Sequence, residues 1–116
     1  MYVVVFEFEL DPEKGDRYFE LARSLRPEAE RIDGFVSVER FESLTRPGHY
    51  VSVSFWRDAA AIDRWRQHAE HRRAQAEALE RNLFRDFCIT VAEVARSYTL
   101  AEVEAARSEG RVGWAG

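Results

Sequence analysis

A chain of 116 residues is the size of one domain and has no room for two independent cores. Hydrophobic residues make up 46% and charged residues 33%, a globular balance rather than a disordered one. The net charge of −4 argues against nucleic acid as a partner, because holding phosphates needs a basic surface. The single cysteine, Cys88, excludes an internal disulfide and a Cys-based zinc cluster. Its apolar neighbours predict a small, buried and inert thiol.

The N-terminal Met1-Tyr2-Val3-Val4-Val5-Phe6 lacks a basic leader and a small-residue cleavage site, so it reads as a strand rather than a signal peptide. No apolar run approaches the roughly 18 residues that a membrane helix needs. The expectation is a cytoplasmic protein without a membrane partner.

From Tyr2 to Leu10 the residues favour a strand, with Phe6, Phe8 and Leu10 alternating with Glu7 and Glu9. Asp11-Pro12 ends that strand, and Asp11 is the expected N-cap of a helix with Pro12 at its first position. The helical stripe is Tyr18, Ala22, Leu25, Ala29 and Ile32, with Pro27 as a kink or bend and Asp33-Gly34 as the stop. A second strand covers Phe35 to Thr45, and Arg46-Pro47-Gly48 turns the chain into a third, Tyr50 to Trp56.

Asp58 then caps a second helix of about twenty residues, with Ile62, Trp65, Ala69, Ala76 and Leu79 at helical spacing. Phe84 to Tyr98 reads as one long final strand. The order is β-α-β-β-α-β, an α+β ferredoxin-like domain over residues 1–98. Residues 99–116 form a C-terminal extension. Thr99 and Glu102 make a capping box for a short helix through Arg107, and Trp114 sits in a glycine-containing tail that either docks on a partner or stays loose.

Two helices cover one face of such a sheet, and the other face is normally polar. Here the strands are apolar on both faces: Val3 and Val5 oppose Tyr2, Val4 and Phe6. A water-exposed patch of that kind is rare on monomers, so the sheet is expected to pack on a second copy in a homodimer.

The second helix carries the unusual residues. Trp65, His68, Arg72 and Gln75 fall on one side at spacings of three and four, and His71 begins the neighbouring row. An indole, an imidazole and an amide on a stripe that faces a sheet are costly unless each polar group finds a partner. They suit a pocket for a small hydrophobic aromatic ligand. The bland alternatives are surface histidines, a core tryptophan and a solvated arginine face. A metal pair at His68 and His71 is weakly supported, because no Asp, Glu or Cys stands at matching spacing and His49 lies in a distant turn. There is no phosphate loop, nucleophile elbow or Ser/His/Asp order.

Phe55-Trp56-Arg57-Asp58, then Trp65 through Gln75, then Phe84 through Tyr98, resemble the antibiotic biosynthesis monooxygenase domain, in motif order as well as topology. The likeness covers about residues 2 to 98 and implies a dimeric α/β barrel. Members include cofactor-free oxygenases of aromatic polyketides, quinol oxygenases and haem-degrading enzymes. In the haem branch a histidine ligand follows the tryptophan by ten positions, where this chain has Gln75, and an asparagine stands in the first strand, where it has Phe6 and Glu7. An amide is a poor iron ligand beside imidazole, so haem as a cofactor requires His71 to take over.

The resemblance therefore points to cofactor-independent monooxygenation of an aromatic or quinol substrate. His68 or His71 is the candidate base, Trp65 and Trp56 the candidate stacking walls, and Arg72 and Gln75 the polar contacts. A non-catalytic ligand-binding or stress-response dimer is the alternative, and a haem-binding protein the third reading.

Overall fold

The structure is a computed structural model, and it describes residues 1–111. Four strands form one antiparallel sheet in the order β2-β3-β1-β4. They are β1 (Tyr2–Leu10), β2 (Phe35–Glu42), β3 (His49–Trp56) and β4 (Phe84–Glu93). The helices are α1 (Gly15–Glu30), α2 (Ala59–Gln67), α3 (Ala69–Glu80) and α4 (Leu100–Ser108). This is the α+β ferredoxin-like arrangement expected from the order of elements.

Register assigns the faces, because paired residues project to the same side. Tyr2, Val4, Phe6 and Phe8 stand opposite Trp56, Ser54, Ser52 and Tyr50 on β3, and opposite Glu93, Val91, Ile89 and Phe87 on β4. This is the helix-covered face, since Phe8 and Leu10 pack with Tyr18 and Ala22 of α1 and Ala78 of α3. Val3 and Val5 project to the other face with Phe55 and Val53. Both faces of the sheet centre are thus apolar.

The core has two parts. One is Phe8, Leu10, Tyr18, Ala22, Ala78 and Leu83, with Phe6, Phe19, Tyr50 and Phe84 around it. The other is Trp56, Ala61 and Ile62, with Tyr2, Val4, Ile32, Phe35 and Trp65 against it. Gly34 permits the second: its φ is +97°, and a Cβ there would come within 2.6 Å of the Ala61 Cβ. Arg17 donates from Nε and a terminal nitrogen to Glu77 at 2.5 and 2.7 Å, which joins α1 to α3 and holds the Glu77 carboxyl down at about 2.

Several local expectations need correction. α1 begins at Gly15, not after Asp11: the Asp11 carboxylate accepts from the Glu13 N–H in a preceding turn. Pro27 lies within α1, which continues to Glu30. β2 stops at Glu42, and β4 ends at Glu93 rather than Tyr98, once the Val94 N–H has bonded to the Met1 carbonyl at the end of β1. Cys88 is exposed, because it pairs with Glu7 on the sheet face that no helix covers, in an edge strand. The single long second helix is two helices. Its expected inner stripe fails beyond the break, where Ala69, Ala76 and Leu79 are exposed and Ala78 is the buried residue. Asp58 and Thr99 do cap α2 and α4. The Trp114 docking question lies outside the described residues.

Candidate active site

The site begins with the helix break. Asp58 starts α2 by accepting from the Ala61 N–H at 2.8 Å, and the helix runs to Gln67. His68 then adopts φ −62° and ψ 130°, an extended conformation, and α3 starts at Ala69. In an uninterrupted helix the Trp65 carbonyl would accept from the Ala69 N–H. Here it accepts from the His68 N–H at 3.1 Å, and the His71 Nδ1 lies 3.0 Å away. The break frees a backbone acceptor, and a histidine one turn into the next helix takes it.

That contact fixes the tautomer. A carbonyl only accepts, so His71 donates from Nδ1 and its Nε2 is the unprotonated nitrogen of the neutral ring. The ring lies over the Trp65 indole with centroids 4.2 Å apart and planes inclined by 12°. Burial holds the imidazole below the ordinary value of 6.5; the bond to the Trp65 carbonyl opposes this, and the neighbouring His68 adds to it. His71 is therefore a neutral imidazole at neutral pH.

His68 has a different environment. Its ring stacks less closely on Trp65, at 5.7 Å, and its Nε2 is 3.1 Å from Glu28 Oε2 on α1. Trp56 is only 2% exposed, lies edge-on to Phe35 and donates its indole N–H to Ser54 Oγ at 2.9 Å. Trp65 lies 6.4 Å from Trp56 in near-parallel orientation. Trp56, Trp65 and His71 thus step outward from the core toward the surface.

The two sides of α3 face different elements. Glu70, Arg73, Ala74 and Glu77 line a groove against α1. Ala78, Leu79 and Asn82 line another, of about 320 Å³, against Phe84 and Phe87 of β4. Gln75 is one turn before Leu79, and His71, eight residues before it, is rotated by about 80° toward Trp65; neither lines the groove itself. On the strand, Ile89 and Val91 follow Phe87 on the same face, and Phe6 packs edge-on against Phe87. Eight helical residues span about 12 Å and four strand residues about 13 Å, so His71 and Val91 mark the same end.

The structure thus brings Trp65, His68 and His71 together and leaves Gln75 exposed on α3. Arg72 is also exposed, and Trp56 is interior. His49 is apart from the site, 3.5 Å from Glu9. Among the described residues, no group of three or more His, Cys, Asp or Glu side chains is arranged to hold a metal ion. Two contributors escaped the sequence. Glu28 is one, though its place beside the Leu25–Ala29 stripe marked it as inward-leaning. The apolar side of β4 is the other, as a groove wall rather than core.

Comparison with known proteins agrees with this architecture. The jasmonate monooxygenase ABM of Pyricularia oryzae is 40% identical over 104 residues, which cover 90% of this chain and 48% of that protein. The chain thus spans about half the length of this curated relative. Among solved structures, Rv0793 of Mycobacterium tuberculosis superposes with a TM-score of 0.75 at 21% identity, covering 84% of this chain and 98% of that one. A variant of SnoaB, a cofactor-independent oxygenase from Streptomyces nogalater, gives 0.71 at 18% identity, covering 83% and 94%. At those identities the solved structures bear on fold alone. The family model for antibiotic biosynthesis monooxygenases matches residues 1–77, two thirds of the chain, and with the strand order and the Trp65 helix in place the chain belongs to that family.

Proposed function

We propose that the protein is a cofactor-independent oxygenase of a small aromatic or quinol-type substrate, with His71 as the base. The observation that carries this reading is the His71 ring: stacked on Trp65, with Nδ1–H committed to the Trp65 carbonyl and Nε2 left to accept a proton. A histidine kept neutral by burial suits general-base work near pH 7. The groove between α3 and β4 sets Leu79, Phe84 and Phe87 beside the polar Asn82, Arg85 and Asp86, which suits a planar ligand with polar substituents, and Gln75 and Arg72, exposed on α3, suit a developing oxyanion.

The chemistry balances without a cofactor because the substrate supplies the electrons. His71 Nε2 removes a proton from an activated ring methylene, and the electron-rich carbon passes electrons to O2 one at a time and forms a C–O bond. The proton on His71 returns to the distal oxygen, giving a hydroperoxide. Loss of the remaining C–H proton forms C=O as the O–O bond breaks, and hydroxide takes that proton to leave as water. Overall, CH2 and O2 become C=O and H2O. Trp65 walls the site, Trp56 backs it, and His68 is held by Glu28.

The same reading takes the protein as a homodimer, with Val3, Val5, Val53 and Phe55 of the uncovered sheet face packed on a second copy. The experiment is a panel of quinols and hydroxyanthracenes, with jasmonate included because of the relative's name, incubated under air and under nitrogen. Oxygen-dependent turnover that is lost in His71→Ala is the expected result. No turnover with any member of the panel, or turnover unchanged in His71→Ala, overturns the proposal.

A further inference from the structure

We infer that α4 is an exchange arm: it docks on a second copy of this chain, along the Phe87–Ile89–Val91 strip of β4, and closes that copy's groove. The closure matters for catalysis only on the reading of the groove proposed above; the contact itself does not depend on that reading.

α4 is well started and poorly supported. Thr99 Oγ1 accepts from the Glu102 N–H at 3.2 Å, yet none of the nine residues of α4 is buried. An isolated helix shorter than about 12–15 residues is marginal in water, so a helix this short needs a surface to pack on. Leu100, Val103 and Ala106 give it an apolar side at spacings of three, and Leu100 is 75% exposed. The chain's radius of gyration is 16.9 Å, against about 13 Å for a compact domain of this length. The Val94 N–H bond to the Met1 carbonyl carries the chain past the end of the sheet before α4 begins.

The strip on β4 has the complementary need. Phe87, Ile89 and Val91 lie on the helix-facing side of an edge strand and are 44%, 53% and 53% exposed. The strip is about 13 Å long, and α4 from Leu100 to Ser108 is about 12 Å. Unpaired charges of opposite sign are also at hand. Arg72 on the α3 flank has no carboxylate within ion-pair distance among the described residues, and Glu104 on α4 has no such cation. Helix and strip are exposed in the same chain, so α4 does not cover its own strip. A reciprocal exchange between two copies satisfies both surfaces and closes on itself with two-fold symmetry. Leu100 and Val103 of each chain then roof the groove of the other, and each site contains residues of both chains.

The test uses full-length chains carrying Cys88→Ser. Leu100→Cys in one tagged chain and Ile89→Cys in a second are co-expressed and mildly oxidised without substrate. The expected product is a disulfide between the two tags, and a chain carrying both cysteines gives a covalent dimer rather than a cyclised monomer. In parallel, Leu100→Glu raises the dimer dissociation constant at least about tenfold by sedimentation equilibrium. No mixed disulfide from folded chains, a cyclised monomer from the double-cysteine chain, or an unchanged dissociation constant in Leu100→Glu each overturns the proposal. Because no substrate is present, a failed arm is distinguishable from a failed oxygenase reading.

Discussion

At one end of the helix-covered face, Phe8, Leu10, Tyr18, Ala22, Ala78 and Leu83 close on one another, with Phe84 and Tyr50 around them. At the other end Trp56, Ala61 and Ile62 meet Trp65, and beyond Trp65 stand two imidazoles and a carboxylate. The first end fills its space with hydrocarbon and aromatic rings, which gain from burial and have few polar groups to satisfy. The second gives up helical continuity at His68, so that the Trp65 carbonyl, bonded to the His68 N–H, also takes and orients the His71 ring. One end holds the fold, and on the proposed function the other holds the chemistry.

The largest test of that division is His71→Ala. On the proposed mechanism it lowers oxygen-dependent turnover about 10²- to 10⁴-fold, the usual worth of a general base, and leaves the thermal transition almost in place. Leu83→Ala should do the reverse. Leu83 is fully buried, and its truncation is expected to cost about 2–5 kcal/mol in denaturant unfolding while turnover per folded molecule stays near wild type. If both variants lose activity and stability in parallel, the two ends are one cooperative core and the division fails.

Glu28→Gln probes the boundary between the two ends. The amide still reaches His68 but removes the charge from a half-buried pair, so turnover is expected to fall by no more than about fivefold, the worth of such a pair. A loss as large as that of His71→Ala would make Glu28–His68, not His71, the proton acceptor. A smaller effect appears in stability against pH. His71 is lowered in the folded state, so the unfolded chain binds the extra proton first. Its contribution is complete above 6.5 and declines as pH falls from there toward the lowered folded value. His71→Gln should flatten that part of the curve in chemical unfolding.

How much of this was legible in the sequence differs between the same two regions. The sheet order and its two apolar faces followed from alternation in Val3–Phe8 and Val51–Trp56, which register preserved. Trp65, His68 and His71 were visible as polar groups on a stripe that should have been aliphatic. The break at His68 was not, because Gln67-His68-Ala69-Glu70 contains neither glycine nor proline and suits a continuous helix. The break instead accompanies tertiary contacts: the His68 ring on Glu28 and the His71 ring on Trp65. It also reset the helical phase, which put Ala78 rather than Leu79 inside and left Arg72 on the flank. The exposure of Cys88, Ile89 and Val91 was equally hidden, because an apolar run reads the same in a central strand as in an edge strand.

The central claim is that His71 is a neutral base with Nδ1 protonated and Nε2 free. Nitrogen-15 NMR of the histidine side chains across a pH titration tests it without any substrate, with His71→Gln supplying the assignment. The expected spectrum shows the Nδ1-protonated tautomer for His71 and a midpoint below the ordinary 6.5. An Nε2-protonated ring, or a midpoint at or above 6.5, would contradict it.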